Sequence, residues 1–182
     1  MERVNSDVSF DSYLKKRSDI HLMRKLWHMF TGSLGVFCFY FFEVDKNSMT
    51  FSLAKLTVVA FLIDFIRLKF SGVNSSVMYL MKPFMRDSEA SSMSGLPFYA
   101  LGVTLSLFLF EEKIAILSIL FLVFSDPIAS FFGVLFGKQK ILPNKTFEGC
   151  VAAYVTCYFL TLLYGLSLGV NGFNLFIFSL LA

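Results

Sequence analysis

Apolar positions gather into five long runs divided by short polar breaks. Residues 26–42, 91–110 and 149–170 carry no formal charge, and 114–137 carries only Asp126. Residues 47–66 are apolar apart from Lys55 and Asp64. Crossing the ~30 Å hydrocarbon core of a bilayer takes about 20 residues of helix, with a range of roughly 17–25. Each run therefore predicts one spanning helix. A sixth run, 172–182, reaches only about 16 Å as a helix. It predicts a half-helix or a shortened last span.

Composition points the same way. The 182 residues are 56% hydrophobic and 16% charged, and 24 of them are Phe. A soluble domain carries about 25% charged residues. A globule of this size cannot hide so much aromatic area, so a bilayer must take it. That excludes a soluble enzyme, a disordered chain and a secreted disulfide scaffold. Cys38, Cys150 and Cys157 sit in apolar runs at no metal spacing and read as small buried hydrophobes. Residues 1–20 are mixed-charge and hydroxyl-rich, unlike a signal peptide. A net charge of +3 is too mild to suggest nucleic acid.

The placement of charge says more. With the N-terminus inside and spans alternating, Arg3, Lys15, Lys16, Arg17, Arg24, Lys25, Arg67, Lys69, Lys82, Arg86, Lys138, Lys140 and Lys145 lie on the inner side. These are 13 of the 16 basic residues, which sets the N-terminus in the cytoplasm. The predicted fold class is all-α: a polytopic integral membrane helix bundle of five spanning helices plus a short sixth apolar segment. A cytoplasmic segment, 1–20, precedes one transmembrane domain, 21–182. The inner connections, 67–90 and 138–148, are longer than the outer ones. Val77, Leu80, Met81, Phe84 and Met85 form an apolar stripe at helical spacing, predicting an interfacial helix. No internal repeat is visible, which speaks against a repeat-built transporter.

Four polar clusters converge toward the predicted inner side. Arg24, His28 and Gly32 are four apart and share a helix face, with Lys25 and Trp27 between them. An anchor at the membrane interface explains the basic pair but not His28 within a span. Asp64 and Arg67, three apart, make a local ion pair that tolerates a carboxylate in the membrane. Glu89 precedes Ser94-Gly95-Leu96-Pro97, where a helix start with proline in its first turn accounts for most of the pattern.

The fourth cluster runs from Ser125 to Gly149. Asp126 is the one charge in its run, and placing it there costs about 2.5–3.5 kcal/mol on the insertion scale. Pro127 removes a helical hydrogen bond beside it, predicting a break or change of direction. Asp126, Ala129 or Ser130, Gly133 and Gly137 fall at spacings of three and four. Close helix packing explains the glycines but not the carboxylate. Lys138, Lys140 and Lys145 follow. Thr146 or Asn144 can cap the next helix, leaving the amides of Phe147, Glu148 and Gly149 for an anion. Gly149 allows close approach to the backbone. A magnesium ion on Asp126 would bridge phosphate oxygens. This is not P-loop chemistry: three residues separate Gly133 from Gly137-Lys138 where that motif needs four.

The segment from Asp126 to Gly149 resembles the shared motif of membrane CTP-using lipid enzymes, D-x-x-A-x-x-x-G-x-x-F-G-K-x-K followed by K-T-x-E-G. Asp126, Ala129, Gly133, Phe136, Gly137, Lys138, Lys140, Lys145, Thr146, Glu148 and Gly149 match it. That superfamily holds phosphatidate cytidylyltransferase and the group of dolichol kinase, phytol kinase and CTP-dependent diacylglycerol kinase. Arg24-Lys25-x-x-His28, Gly32 and the Asp64/Arg67 pair resemble the kinase branch. Ser125 departs from the glycine common there, and Leu142-Pro143-Asn144 is short for a cytidylyltransferase.

The resemblance implies a catalytic domain that moves the γ-phosphoryl of CTP to a polyprenol, phytol-like alcohol or diacylglycerol. It implies Asp126, Asp64, His28 and Glu148 as catalytic candidates, and Asp126 and Glu148 as ligands of Mg²⁺. It implies nucleotide or phosphate binding by Lys138, Lys140, Lys145, Thr146, Gly149, Gly133, Gly137, Arg24, Lys25 and Arg67. The expected membrane is the inner membrane of a prokaryote, or the endoplasmic reticulum or a plastid of a eukaryote. A homodimer fits the resemblance. The alternatives are a cytidylyltransferase making CDP-lipid, and a small transporter or assembly subunit.

Overall fold

The structure, a computed structural model, describes residues 22–81, 84–85, 87–142 and 145–170, together with 177 and 179. The segment 1–20, the expected sixth apolar segment 172–182, the inner cations Lys82 and Arg86 and the alternative cap Asn144 lie outside the described residues or are reached by them only at 177 and 179. The helices are α1 (Leu22–Phe41), α2 (Lys46–Lys69), α3 (Ser71–Met81), α4 (Gly95–Leu109), α5 (Glu112–Leu120), α6 (Asp126–Phe136) and α7 (Phe147–Ser167). A 3₁₀ turn at Asp87–Ala90 precedes α4, and a π-helical turn at Phe121–Ser125 joins α5 to α6. Two short strands, β1 (Lys140–Leu142) and β2 (Lys145–Thr146), pair antiparallel between α6 and α7.

The protein is an all-α polytopic membrane protein. Lys46–Lys69, Glu112–Phe136 and Phe147–Ser167 are long and apolar enough to cross a membrane. Helix α4, at 15 residues, spans about 22 Å. It starts later than the apolar run 91–110 predicts, because residues 92 and 94 are held by Arg67 and Asp64, as described below. The interior is thin, with large side chains turned outward: Phe51 is 69% and Phe108 70% exposed. Hydrocarbon, not protein, is the solvent for those faces.

The chain divides into two compact units, one of residues 26–123 and one that takes in the described residues 22–25 and those from 124 onward. In the first, α2 packs along α4. Buried Thr57 and Thr104 meet hydroxyl to hydroxyl at 3.0 Å, and each also bonds its own helix. A hydroxyl bonded within its own helix can lie at such an interface without an unmet donor. Asp45 caps α2 by accepting from the Asn47 and Ser48 amides, and the Lys46 ammonium donates to the Phe110 carbonyl. The apolar stripe of 77–85 divides: Leu80 faces outward at 76% exposure, while the Phe84 ring lies tilted against that of Trp27, 4.8 Å away.

In the second unit, α6 and α7 form an antiparallel hairpin. Its close approach explains the glycines. A Cβ on Gly149 would lie 2.8 Å from the Ala129 carbonyl oxygen and 3.3 Å from the Gly133 Cα. A Cβ on Gly137 would lie 2.6 Å from the Thr146 methyl. Farther along, the Ser125 hydroxyl donates to the Ala153 carbonyl and accepts from the Cys157 thiol. The helix is not broken at Pro127. The π turn before it widens the coil where the proline ring would crowd the Val123 carbonyl, so Glu112–Phe136 continues as one rod.

Gly149→Ala should lower the thermal unfolding midpoint in detergent, by an overpacking cost of about 1–3 kcal/mol. Gly72→Ala, where a Cβ would meet nothing within 4 Å, should leave the midpoint unchanged or raise it. Equal midpoints for both variants would contradict the close helix contact.

Candidate functional site

Arg67 is wholly buried, with 0% of its surface exposed. Its Nε donates to Asp64 Oδ1 at 2.5 Å. Nη1 donates to Asn74 Oδ1 at 3.0 Å and the Glu89 carbonyl at 2.8 Å, and Nη2 donates to the Ser92 carbonyl at 2.8 Å. Four of the five guanidinium N–H groups are thus spent on protein. Asp64 Oδ2 accepts from the Ser94 amide at 2.6 Å. The Asn74 amide donates to the Ala90 carbonyl, and Glu89 Oε1 accepts from the Gly95 amide at the start of α4. The pair expected to bind phosphate and activate a hydroxyl is instead a closed structural network. Arg67 has no access to a phosphate, and both Asp64 oxygens are occupied. Asn74 and Ser94 gave no sign of this role in the sequence, since they meet Arg67 and Asp64 only through the fold.

His28 lies half-buried on α1, its ring 4.5 Å from the Tyr99 ring. Tyr99 donates its hydroxyl to the His28 carbonyl at 3.3 Å. Gly32, one turn on, is required by packing: its Cβ would meet the Tyr99 hydroxyl at 2.6 Å. Arg24 and Lys25 are half-buried in the first turn of α1.

At the α6–α7 hairpin, Thr146 is the cap of α7, its Oγ1 accepting from the Gly149 amide at 3.3 Å. The Phe147 amide donates to the Gln139 carbonyl at 2.8 Å. Glu148 Oε1 accepts from the Lys138 and Gln139 amides at 2.9 and 3.3 Å. The expected anion site of free α7 amides is therefore not formed. The Phe147 and Gly149 amides have partners within the chain, and a carboxylate already sits on the loop amides. Gly149 is covered by Ala129 and so offers no open backbone to a ligand. Gly133 and Gly137 also serve packing. Glu148 clamps the turn after α6, and its Oε2 is buried without a hydrogen-bond partner among the described residues. Lys138, Lys140 and Lys145 are exposed around the β-hairpin.

Asp126 stands apart. It opens α6, directly after the π turn, and lies near the middle of the Glu112–Phe136 rod. Its side chain is exposed, and the described residues make no hydrogen bond or ion pair to it. Ten residues separate it from the end of α6, about 15 Å of helix. It is therefore remote from the lysines that follow α6, and it cannot share one ion with Glu148, whose oxygen sits on the Lys138 amide. Among the described residues no group of three or more His, Cys, Asp or Glu side chains comes together, so they form no protein-only metal cage. A lone open carboxylate does fit Mg²⁺, which keeps most of its octahedral positions for water and substrate phosphate.

Comparison with known proteins bears on the family. Residues 14–182 match the profile described as the Cytidylyltransferase family. The chain is similar to CTP-dependent diacylglycerol kinase 1 of Schizosaccharomyces pombe, 35% identical over 109 residues, 59% of this chain and 50% of that protein. It is similar to the Saccharomyces cerevisiae protein of the same name, 26% identical over 85% of this chain and 54% of that one. It is also similar to chloroplastic phytol kinase 1 of Arabidopsis thaliana, 31% identical over 85% of this chain and 52% of that one. The chain thus spans about half the length of these relatives. No solved structure matches it.

Asp64→Asn and Arg67→Gln should each lower the unfolding midpoint sharply, since breaking a buried pair costs about 3–5 kcal/mol. The double variant should cost less than the sum. An Asp64→Asn protein of normal stability would overturn the structural assignment.

Proposed function

We propose that this chain, which belongs to the cytidylyltransferase family, is the membrane catalytic core of a CTP-dependent lipid kinase. The observation that carries the reading is Asp126, an open carboxylate at mid-span beside a π turn. Such a group is costly in a membrane and finds no structural use here. The names of the relatives support kinase chemistry, with diacylglycerol and phytol as the acceptor types they carry. The N-terminus lies in the cytoplasm, and nucleotide enters from that side.

The lipid hydroxyl attacks the γ-phosphorus of CTP. One oxygen–phosphorus bond forms, the bond to the β-phosphate oxygen breaks, and CDP leaves. Phosphoryl transfer requires positioning and charge neutralisation above all. Asp126 would hold Mg²⁺, which supplies charge neutralisation at the phosphates. Lys138, Lys140 and Lys145 attract the polyanion at the membrane surface and raise its local concentration. Glu148 fixes the turn that carries them. With Asp64 committed to Arg67, His28 is the remaining candidate to take the hydroxyl proton.

Purified protein in nanodiscs, given CTP labelled at the α- or γ-phosphate and ATP labelled at γ, tests this against a panel of lipid alcohols. The γ-label of CTP should reach lipid and the α-label should not. Lipid carrying the α-label would make the protein a cytidylyltransferase, and no labelled lipid would remove the enzyme reading.

A further inference from the structure

Residues 26–123 surround a cavity of about 280 Å³ between α1, α2, α4 and α5. Val36, Phe39, Leu53, Ala60, Val103 and Ile116 are among its walls. Along α1 it runs from Trp27 to Phe39, about 18 Å of helix. That is more than half of the ~30 Å hydrocarbon core, the depth of one leaflet. Two of its wall residues, Thr31 and Tyr99, turn their hydroxyls to backbone carbonyls, those of Trp27 at 2.8 Å and His28 at 3.3 Å. Water needs two to four polar partners to stay in such a place, and with both hydroxyl protons already given to the backbone this otherwise apolar lining offers it few. An empty space there would forfeit the contacts of every wall atom. Hydrocarbon is the occupant that the lining and the surrounding solvent both allow.

Gly35 provides an independent observation. It lies in the interior of α1 and lines the cavity, yet a Cβ there would meet nothing within 4 Å. Three residues earlier, Gly32 would drive a Cβ into Tyr99. Packing demands Gly32 and does not demand Gly35. Glycine inside a helix costs stability relative to alanine, and what the structure gains at Gly35 is open volume in the cavity wall.

We propose that this cavity binds one hydrocarbon chain of the lipid acceptor, with the hydroxyl-bearing end at Trp27, Leu96 and Tyr99 and the tail toward Phe39. The proposal rests on the lipid-kinase reading and extends it: the acceptor is selected by the length of a single chain. Leu96 and Tyr99 begin the helix whose start is pinned through Ser94 to Asp64, which keeps that end of the cavity fixed. A bulk bilayer lipid needs no interior slot, because the outward faces already meet it.

The test uses the full chain in nanodiscs and acceptors of one headgroup with octanoyl or palmitoyl chains. Gly35→Leu should raise KM for the long-chain acceptor about tenfold, the discrimination a hydrophobic pocket gives for small changes in volume. Its kcat/KM for the short-chain acceptor should hold. Gly102→Leu, another helix glycine with open space around it but outside the cavity, should change neither value. A photoreactive hexadecyl alcohol, read by mass spectrometry without nucleotide, should label α1 between Trp27 and Phe39. Unlabelled hexadecanol should compete, and Gly35→Leu should reduce the labelling. Competed labelling in a wild-type protein that phosphorylates no lipid would sink the kinase reading and leave the cavity assignment standing. Labelling that hexadecanol does not displace, or an unchanged long-chain KM in Gly35→Leu, would overturn the cavity assignment. Should Gly35→Leu fail to purify, Gly35→Val and Gly35→Ala supply the same comparison in smaller steps.

Discussion

A guanidinium shut away from water must be answered entirely by protein, and Arg67 is answered from four places in the chain. Asp64 on its own helix takes Nε, Asn74 on α3 and the Glu89 carbonyl take Nη1, and the Ser92 carbonyl takes Nη2. The charges alone would not repay their desolvation without these further bonds. Satisfying them dictates local structure. Helix α2 ends within reach of α3, the segment after the 3₁₀ turn is drawn in, and α4 begins only after Ser94 has given its amide to Asp64. Two of the four helices that wall the cavity in residues 26–123, α2 and α4, are tied together at one end by this network.

The residues from 124 onward meet the same demand by different means. There the glycines let α6 and α7 touch, Thr146 caps α7, and Glu148 closes the turn before it. Every polar group so used is unavailable to a substrate. Among the motif's charged groups, the exposed lysines of the hairpin, the second oxygen of Glu148 and, deep in the Glu112–Phe136 helix, Asp126 remain without a hydrogen bond among the described residues. Function is then assigned to what the fold does not consume.

Much of the fold was legible in the sequence because run length and hydropathy dictate spanning helices directly. The late start of α4, the β-hairpin and the π turn were not legible, since each depends on partners distant in sequence. Asp64 and Arg67 illustrate the limit for sites. Three-residue spacing is the same for a structural pair and a phosphate site, and burial decides between them. Gly149 is similar: its freedom to admit a ligand and its freedom to admit a helix read alike until Ala129 is seen above it. The depth of Asp126 is legible in the sequence. It is the thirteenth residue of the run 114–137, hence near the centre of the span and remote from the lysines.

The central claim is that Asp126 carries chemistry rather than stability. Asp126→Asn keeps the side chain's size and removes its charge. Turnover with γ-labelled CTP and the thermal midpoint, measured side by side on the purified variant, test the claim directly. A structural carboxylate would register in the midpoint. The account predicts a midpoint unchanged or raised, because a membrane charge has been removed, and turnover lower by orders of magnitude, because a neutral amide cannot replace a metal-binding carboxylate. An Asp126→Asn protein with near-normal turnover would contradict it.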